Sequence, residues 1–248
     1  IEQIAKICKE KNLILIEDLP HSVGTVYGNG KEAGTIGDFV VLSFSQDKII
    51  DAVSGGALII RNKKYQNYAL ASQGETLQGY QQLLDRLYPL FTFKIRKTYP
   101  SGIGKFIHFF LKSFDLLSKP MNESFYAKYD LPNWYCKLVL HAFENLKKDL
   151  EHRKKIVDIY NSMLHPKIVY PSSLRFCIFV QNRKYLIKYL KDKGVYISDV
   201  WYDDVDKSLA NAQIASNKIL NLPTHKNVSE NDARKIAQEI NIWMKLQQ

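Results

Sequence analysis

Residues 13–18 read LILIED, residues 39–48 read FVVLSFSQDK, and residues 55–60 read GGALII. Each segment contains a continuous apolar run, which is typical of strands covered on both faces in an α/β sheet. A helical pattern over residues 1–11 precedes the first run, and a glycine-punctuated loop at 24–37 separates it from the second. The sequence therefore predicts a mixed, mostly parallel sheet with helices on both faces.

The C-terminal half alternates between helical and strand patterns. We expect a long helix over 134–164, strands at 174–180 and 195–198, and a helix at 183–193. A last helix begins at a capping box formed by Ser229 and Asp232. Its apolar stripe consists of Ala233, Ile236, Ala237, Ile240 and Trp243.

Residues 87–118 differ from the rest in composition. They contain eight aromatic residues, five Lys or Arg and a single acid, Asp115. The predicted division of the chain is therefore a large α/β domain at 1–86, an aromatic and basic insertion at 87–132, and a long helix with a small α+β domain at 133–248.

Composition excludes several classes of protein. The chain has 248 residues, 46% of them hydrophobic and 12% aromatic, which excludes a disordered protein. The net charge is +10, and residues 63–155 hold sixteen basic and eight acidic residues. No zinc-finger, RNP or basic helical motif accompanies this charge, so we expect no nucleic-acid partner.

The three cysteines, Cys8, Cys136 and Cys177, are far apart and lack CxxC spacing. This spacing argues against a disulfide framework and a structural metal site. We therefore expect a cytoplasmic protein without a bound metal.

Two charged residues lie close to predicted strand ends. Asp18 ends the first apolar run, and Lys48 lies four residues beyond the second. Open α/β sheets bind ligands at the carboxyl ends of their strands. On position alone, Asp18 could equally be a loop cap and Lys48 a solvated surface charge.

The order of these motifs resembles the core of the DegT/StrS-type sugar aminotransferases, which use pyridoxal phosphate (PLP). The resemblance lies in IED at 16–18, SFSQDK at 43–48 and GGALII at 55–60. It continues in Asn133-Trp134, in NLKKD at 145–149 and in LPTH at 222–225. It implies the C-terminal portion of the large domain of PLP fold type I, followed by a smaller α+β domain.

The resemblance implies a role for each matching residue. Lys48 would bind the cofactor aldehyde and then move a proton between two carbons. Asp18 would pair with the pyridine nitrogen. The other implied positions are His21 near the phenolic oxygen, Ser43 at the phosphate, Asn133 at the phosphate of a neighbouring subunit, and His225 and Tyr202 at the substrate.

Three of these positions also have ordinary explanations. His21 could be an exposed loop imidazole, Ser43 a strand-end serine bonded to backbone, and Asn133 a helix N-cap.

By the same resemblance the protein is an aminotransferase of a nucleotide-linked keto-sugar, with glutamate as the amino donor, active as a homodimer and serving surface glycans. Lys48 favours transamination, because the dehydratases of the family carry His at that position. The alternative is a binding protein, associated with a membrane surface, whose PLP site is vestigial.

The chain also departs from the family pattern. Residues 51–54 read Asp-Ala-Val-Ser, where the family usually has Thr-Thr-Gly-Glu. Ile1 lies inside a helical pattern, so we expect the chain to lack the N-terminal helix that binds the cofactor phosphate and the aromatic residue that stacks on its ring. Such an incomplete chain would be inactive by itself.

Residues 104–117 predict an amphipathic helix within the insertion. Its apolar stripe consists of Ile107, Phe110, Leu111, Phe114 and Leu117. We expect this stripe to pack on the protein body or at a dimer interface. The alternative is an interfacial helix that binds anionic lipid through Lys94, Arg96, Lys97, Lys105 and Lys112.

Overall fold

The computed structural model describes residues 1–71, 74–77, 79–118, 129–164, 174–197 and 206–247. They form two compact units, Ile1–Leu146 and Lys147–Gln248. The first unit contains α1 (Glu2–Glu10), β1 (Ile16–Asp18), β2 (Phe39–Ser43), β3 (Gly56–Ile60), a 3₁₀ helix (Lys63–Ala71), β4 (Glu75–Thr76), α2 (Gly79–Thr98), α3 (Ile103–Ser113), β5 (Tyr129–Asp130) and the start of α4 (Asn133–Met163). The second contains the rest of α4 and β6 (Arg175–Phe179), α5 (Arg183–Asp192), α6 (Ala210–Lys218), β7 (Ile219–Pro223) and α7 (Glu230–Lys245).

The boundaries of these units differ from the composition-based division. Residue 86 lies inside α2, which begins at Gly79 and ends at Thr98. The two units meet at Leu146 and Lys147, inside α4, rather than at residue 132.

The first unit is built on a three-stranded mixed sheet in the order β1-β2-β3. The first two strands are parallel, with Asp18 opposite Val41, whereas β3 is antiparallel to β2, with Gly56 opposite Ser43. Burial alternates along β2, where Val40 and Leu42 lie in the core. On the opposite face, Ile16 and Leu58 are more than half exposed.

The position of the first strand was predicted wrongly. Leu13 and Ile14 lie outside β1 and are more than half exposed. Leu13 donates its N–H to the Cys8 carbonyl, so it completes the turn that ends α1. The N–H of Leu15 is bound by the Asp38 carboxylate at 2.9 Å. The first residues of the apolar run therefore belong to the end of α1 and to a loop, and the strand begins only at Ile16.

Glu17 is a buried carboxylate in β1 that holds the glycine-punctuated loop. It accepts hydrogen bonds from the Tyr27 hydroxyl at 2.7 Å and from three backbone N–H groups, those of Gly34, Ile36 and Gly37. Burial alone would raise the pKa of this carboxyl, but these hydrogen bonds prevail and hold its pKa below 4.5. The carboxylate thus stabilises the fold only while it is ionised.

We expect Glu17→Gln to lower the free energy of unfolding by about 3 kcal/mol at neutral pH, because an amide nitrogen would face backbone donors. A lowered folded-state pKa gives stability that is present above the unfolded-state pKa and lost as pH falls through the folded-state value. Denaturant unfolding of the full-length protein between about pH 7 and about pH 3 should therefore show a weaker acid dependence in the variant. Glu32→Gln, at an exposed site on the same loop, is the control. An unchanged pH profile in Glu17→Gln would contradict this role.

The second unit surrounds an antiparallel pair, β6 and β7, in which Cys177 lies opposite Asn221. The predicted start of the last helix is confirmed, since Ser229 and Asp232 form reciprocal capping hydrogen bonds. Its apolar stripe is also confirmed, because all five residues are buried. The short strand predicted at 195–198 is not found among residues 195–197, and Ser198 lies outside the described residues.

Helices α2 and α3 form a hairpin with a close crossing. A Cβ on Gly104 would lie 2.2 Å from the Ile95 carbonyl oxygen, so the small residue allows the two helices to touch. The helix predicted over 104–117 ends at Ser113. Leu111 is buried as expected, whereas Phe110 and Phe114 do not pack on the described part of this chain.

Candidate functional site

The carboxyl ends of β1 and β2 bring two predicted site residues to one edge of the sheet. Asp18 ends β1 and Ser43 ends β2. Because Asp18 lies opposite Val41 and Ser43 follows two residues later, both side chains belong to the same face. Asp18 is exposed and Ser43 is half-buried, so both can reach a ligand at this edge.

Lys48 is presented by a self-contained loop between β2 and β3. Within this loop the Phe44 N–H donates to the Gly55 carbonyl and the Ala52 N–H donates to the Phe44 carbonyl, each at 2.8 Å. Ile49 and Ile50 follow the lysine directly and are buried. Backbone hydrogen bonds and two buried isoleucines thus hold the loop that carries the half-buried Lys48.

The amine of Lys48 contacts the imidazole of His21. Its Nζ lies 2.6 Å from Nε2 of His21, on the loop that follows β1. The contact fits a protonated amine that donates to Nε2 as well as a neutral amine that accepts from it. The structure therefore joins two residues that are 27 positions apart in the chain.

A second hydroxyl accompanies Ser43. The Oγ atoms of Ser43 and Ser45 are 3.0 Å apart. Ser43 lies opposite Gly56, where a Cβ would be 2.5 Å from the Leu42 carbonyl oxygen. Ser45 was not singled out from the sequence, although its position two residues after Ser43 was visible there.

The loop after Lys48 contains an unusual backbone conformation. Val53 is buried and has φ of +72°, a value that glycine adopts readily and a β-branched residue rarely does. In the family pattern Thr-Thr-Gly-Glu, which corresponds to residues 51–54, glycine occupies the position of Val53. Its N–H is bound by the Asp51 side chain at 2.9 Å.

Asn133 lies at the start of α4, in the same unit. It is exposed and is the first helical residue, after Pro132, whose carbonyl accepts the Tyr135 N–H at 2.9 Å. The segment before it packs on the lysine loop, because a Cβ on Gly55 would lie 2.4 Å from Leu131 Cδ1. Gly55 thus allows this segment to approach the site.

A buried carboxylate that sequence reasoning missed links the hairpin to the lysine loop. Asp85 in α2 accepts hydrogen bonds from Tyr135, Ser118 and Gln81, the last at 2.8 Å. The Gln46 amide donates to Ser118 Oγ at 3.2 Å, and Gln46 precedes Lys48 by two residues. Burial, followed by the Asp85 contact, raises the pKa of Tyr135, so its hydroxyl remains a donor.

The two predicted substrate residues do not lie in the described part of the first unit. His225 follows β7 in the second unit, and its carbonyl accepts the Val228 N–H at 2.8 Å. Its neighbour Thr224 is fully buried and bonded to Arg153 at 3.0 Å. Tyr202 lies outside the described residues.

Comparisons with known proteins point to one family. The family model of the DegT/DnrJ/EryC1/StrS aminotransferases matches residues 1–241. GDP-perosamine synthase of Escherichia coli O157:H7 is 34% identical over 82 residues, which are 33% of this chain and 22% of that protein. The putative pyridoxal phosphate-dependent aminotransferase EpsN of Bacillus subtilis is 40% identical over 62 residues, which are 25% and 16% of the two chains.

The fold is similar to that of a solved structure. E. coli GDP-4-keto-6-deoxy-D-mannose-3-dehydratase with bound hydrated PLP matches with a TM-score of 0.64 at 15% identity, over 96% of this chain and 63% of that one. This similarity shows the fold, and the chain spans less than two thirds of that protein's length.

The donor set at the sheet edge suits PLP. An amine can bind an aldehyde, a carboxylate can pair with a pyridinium nitrogen, and two hydroxyls can donate to a phosphate. The residues available for these contacts are Lys48, Asp18, Ser43 and Ser45, with His21 beside the amine. No group of three potential metal ligands occurs in the described parts of the chain.

Proposed function

The chain belongs to the DegT/DnrJ/EryC1/StrS aminotransferase family, and from this premise we propose that the full-length protein is a PLP-dependent aminotransferase of a nucleotide-linked keto-sugar. The contact between Lys48 and His21 at the carboxyl edge of the sheet is the observation that carries the proposal. The contact joins the Lys48 amine to an imidazole three residues beyond Asp18, which supports a common site for these residues.

PLP, when bound, supplies an electron sink that stabilises negative charge on the substrate carbon. The residues of this chain supply the remaining functions. Lys48 holds the cofactor and carries the proton between carbons at its Nζ. His21, through Nε2, would orient that amine, and Asp18 would provide the negative charge beside the pyridine nitrogen. Ser43 and Ser45 would donate to the phosphate.

The amine at Lys48 favours transamination over dehydration. The dehydratases of this family carry His where this chain has Lys48. In those enzymes an imidazole, which has a different reach, would replace the amine as proton carrier. In the proposed reaction glutamate loses its amino group and becomes 2-oxoglutarate, and the keto carbon of the sugar receives that group. The names of relatives such as GDP-perosamine synthase support a nucleotide-linked sugar.

We further propose a homodimer in the cytoplasm. Asn133 is exposed at the start of α4 and would reach the phosphate of the cofactor in the neighbouring subunit. His225 and Tyr202 remain the proposed substrate contacts. The three cysteines are free thiols, which supports a reducing compartment.

The proposed activity has a direct test. The full-length protein is incubated with PLP, ¹⁵N-glutamate and a nucleotide-linked 4-keto-6-deoxy sugar, and products are identified by mass spectrometry. We expect ¹⁵N in the sugar and an equal amount of 2-oxoglutarate. Loss of the sugar hydroxyl without incorporation of ¹⁵N would contradict transamination.

We expect Asp18→Asn to leave PLP bound but to slow transamination by about 10- to 1,000-fold, because the ring nitrogen loses its charge partner. Turnover and the visible absorbance of the bound cofactor are measured together. Asp192→Asn, at the exposed last residue of α5, is the control. An undiminished rate in Asp18→Asn would show that Asp18 has a structural role only.

A further inference from the structure

Helix α3 carries a continuous aromatic face that points away from its packing partner. Gly104 and Leu111 are the buried residues of this helix. Exposed apolar residues cover the side opposite to these two residues and one adjoining flank, as far as the C-cap of the helix. We call them the aromatic face: Ile103, Phe106, Phe109, Phe110 and Phe114. Phe106 and Phe109 are 70% and 69% exposed. Single exposed apolar residues are ordinary, but a contiguous group of this kind marks an interaction surface.

Basic residues lie beside the aromatic face. Lys105 and Lys112 are seven residues apart, so they share one flank of α3, and both are exposed. Helix α2 carries three further exposed basic residues, Lys94, Arg96 and Lys97. The hairpin's two acids are Asp85, which is buried and bonded, and Asp115.

This charge distribution discriminates between possible occupants. A symmetric contact between two copies with antiparallel α3 helices would bring the lysine flanks of both copies together, which is unfavourable. A lipid surface with negative headgroups would attract the lysines while the phenylalanine rings enter the acyl boundary. None of the described helices is long and apolar enough to cross a membrane, so the contact would be peripheral.

We propose that the aromatic face of α3, with Lys105 and Lys112, binds the surface of an anionic lipid bilayer. The helix lies in the plane of the interface, its phenylalanine side chains enter the membrane, and the lysine stems extend to the headgroups. This contact is separate from the Lys48 site and does not depend on the proposed reaction.

The test is co-sedimentation of the full-length protein with vesicles of phosphatidylcholine containing phosphatidylglycerol, and with pure phosphatidylcholine vesicles, at low and high salt. We expect binding to the anionic vesicles that weakens with salt. Lys105→Gln with Lys112→Gln should reduce this affinity roughly 20-fold. Phe106→Gln with Phe109→Gln should reduce it at least about 10-fold, because two rings no longer enter the lipid.

Two matched controls lie on α5, which has similar exposure. Tyr185→Gln removes an aromatic residue that is 70% exposed, and Lys184→Gln with Lys191→Gln removes two exposed charges. Neither should change vesicle binding, and thermal melting should show that all variants fold.

Absence of binding by the unaltered protein, or an equal loss in the controls, would overturn the proposal. So would a protein dimer that Phe106→Gln with Phe109→Gln dissociates in the absence of vesicle binding. A marked fall in melting temperature of that variant, again without vesicle binding, would show that the rings are packed in the full-length protein and would equally overturn it.

Discussion

We expect Lys48→Ala to abolish the visible absorbance of bound PLP and to reduce transamination by roughly four orders of magnitude. The amine at this position is both the point of covalent attachment and the proton carrier, and an alanine methyl group performs neither function. Lys48 is half-buried in a loop whose backbone hydrogen bonds do not involve its side chain, so the variant should fold. Lys31→Ala, at an exposed position on the preceding loop, should retain both properties.

A second variant separates the charge of Lys48 from its chemistry. Lys48→Arg keeps the positive charge near His21 but lacks an amine that can attack an aldehyde. We expect it to be as inactive as Lys48→Ala. Retention of the absorbance band in either variant would contradict the assignment.

We expect Asp85→Ala to lower the free energy of unfolding by about 4 kcal/mol, because it leaves the buried hydroxyls of Tyr135 and Ser118 without an acceptor. Asp85 and Tyr135 are fully buried, so water cannot replace the lost hydrogen bonds. Chemical denaturation of the full-length protein measures the change. Asp158→Ala, at an exposed position of α4, is the control and should change stability by less than about 0.5 kcal/mol.

The contribution of the Tyr135 contact is measured by a double-mutant cycle. Tyr135→Phe alone should be destabilising, and its effect should be much smaller when Asp85 is already alanine. Additive effects of the two substitutions would show that the contact contributes nothing. Because Ser118 also binds Gln46, Asp85→Ala should additionally weaken PLP binding by the lysine loop.

The sequence predicted best those structural features that depend on a single short segment. The capping box at Ser229 needs only residues within one helical turn, and it forms as predicted. The strands β2 and β3 also lie within one residue of the apolar runs at 39–44 and 57–60 that predicted them. The placement of Asp18 and Ser43 followed from the rule that parallel strands end at a shared edge.

Contacts between residues that are far apart in the sequence could not be predicted in the same way. Asp85 is unremarkable in the sequence. Its buried donors come from Tyr135 on α4 and from Ser118 in the segment after α3, and only the folded chain brings them to Asp85. Glu17 likewise gains its role from backbone N–H groups that lie 17 to 20 residues later. Both are consequences of tertiary structure, which no local pattern contains.

The backbone conformation of the segment at residues 51–54 could not be predicted from its sequence. From the sequence, Val53 only signalled a departure from the family pattern. The structure shows that the backbone keeps a conformation that suits glycine, with φ of +72°, although the residue is valine. The loop is stabilised against this strain by its internal hydrogen bonds and by the burial of Ile50 and Ala52.

The most direct measurement is the site of covalent attachment of the cofactor. The full-length protein is incubated with PLP, reduced with borohydride, digested and analysed by mass spectrometry. We predict a pyridoxyl group on the peptide that contains Lys48, and none on that peptide in Lys48→Ala. A pyridoxyl group on another lysine while Lys48 is unmodified, or no adduct at all, would contradict the assignment of the candidate site.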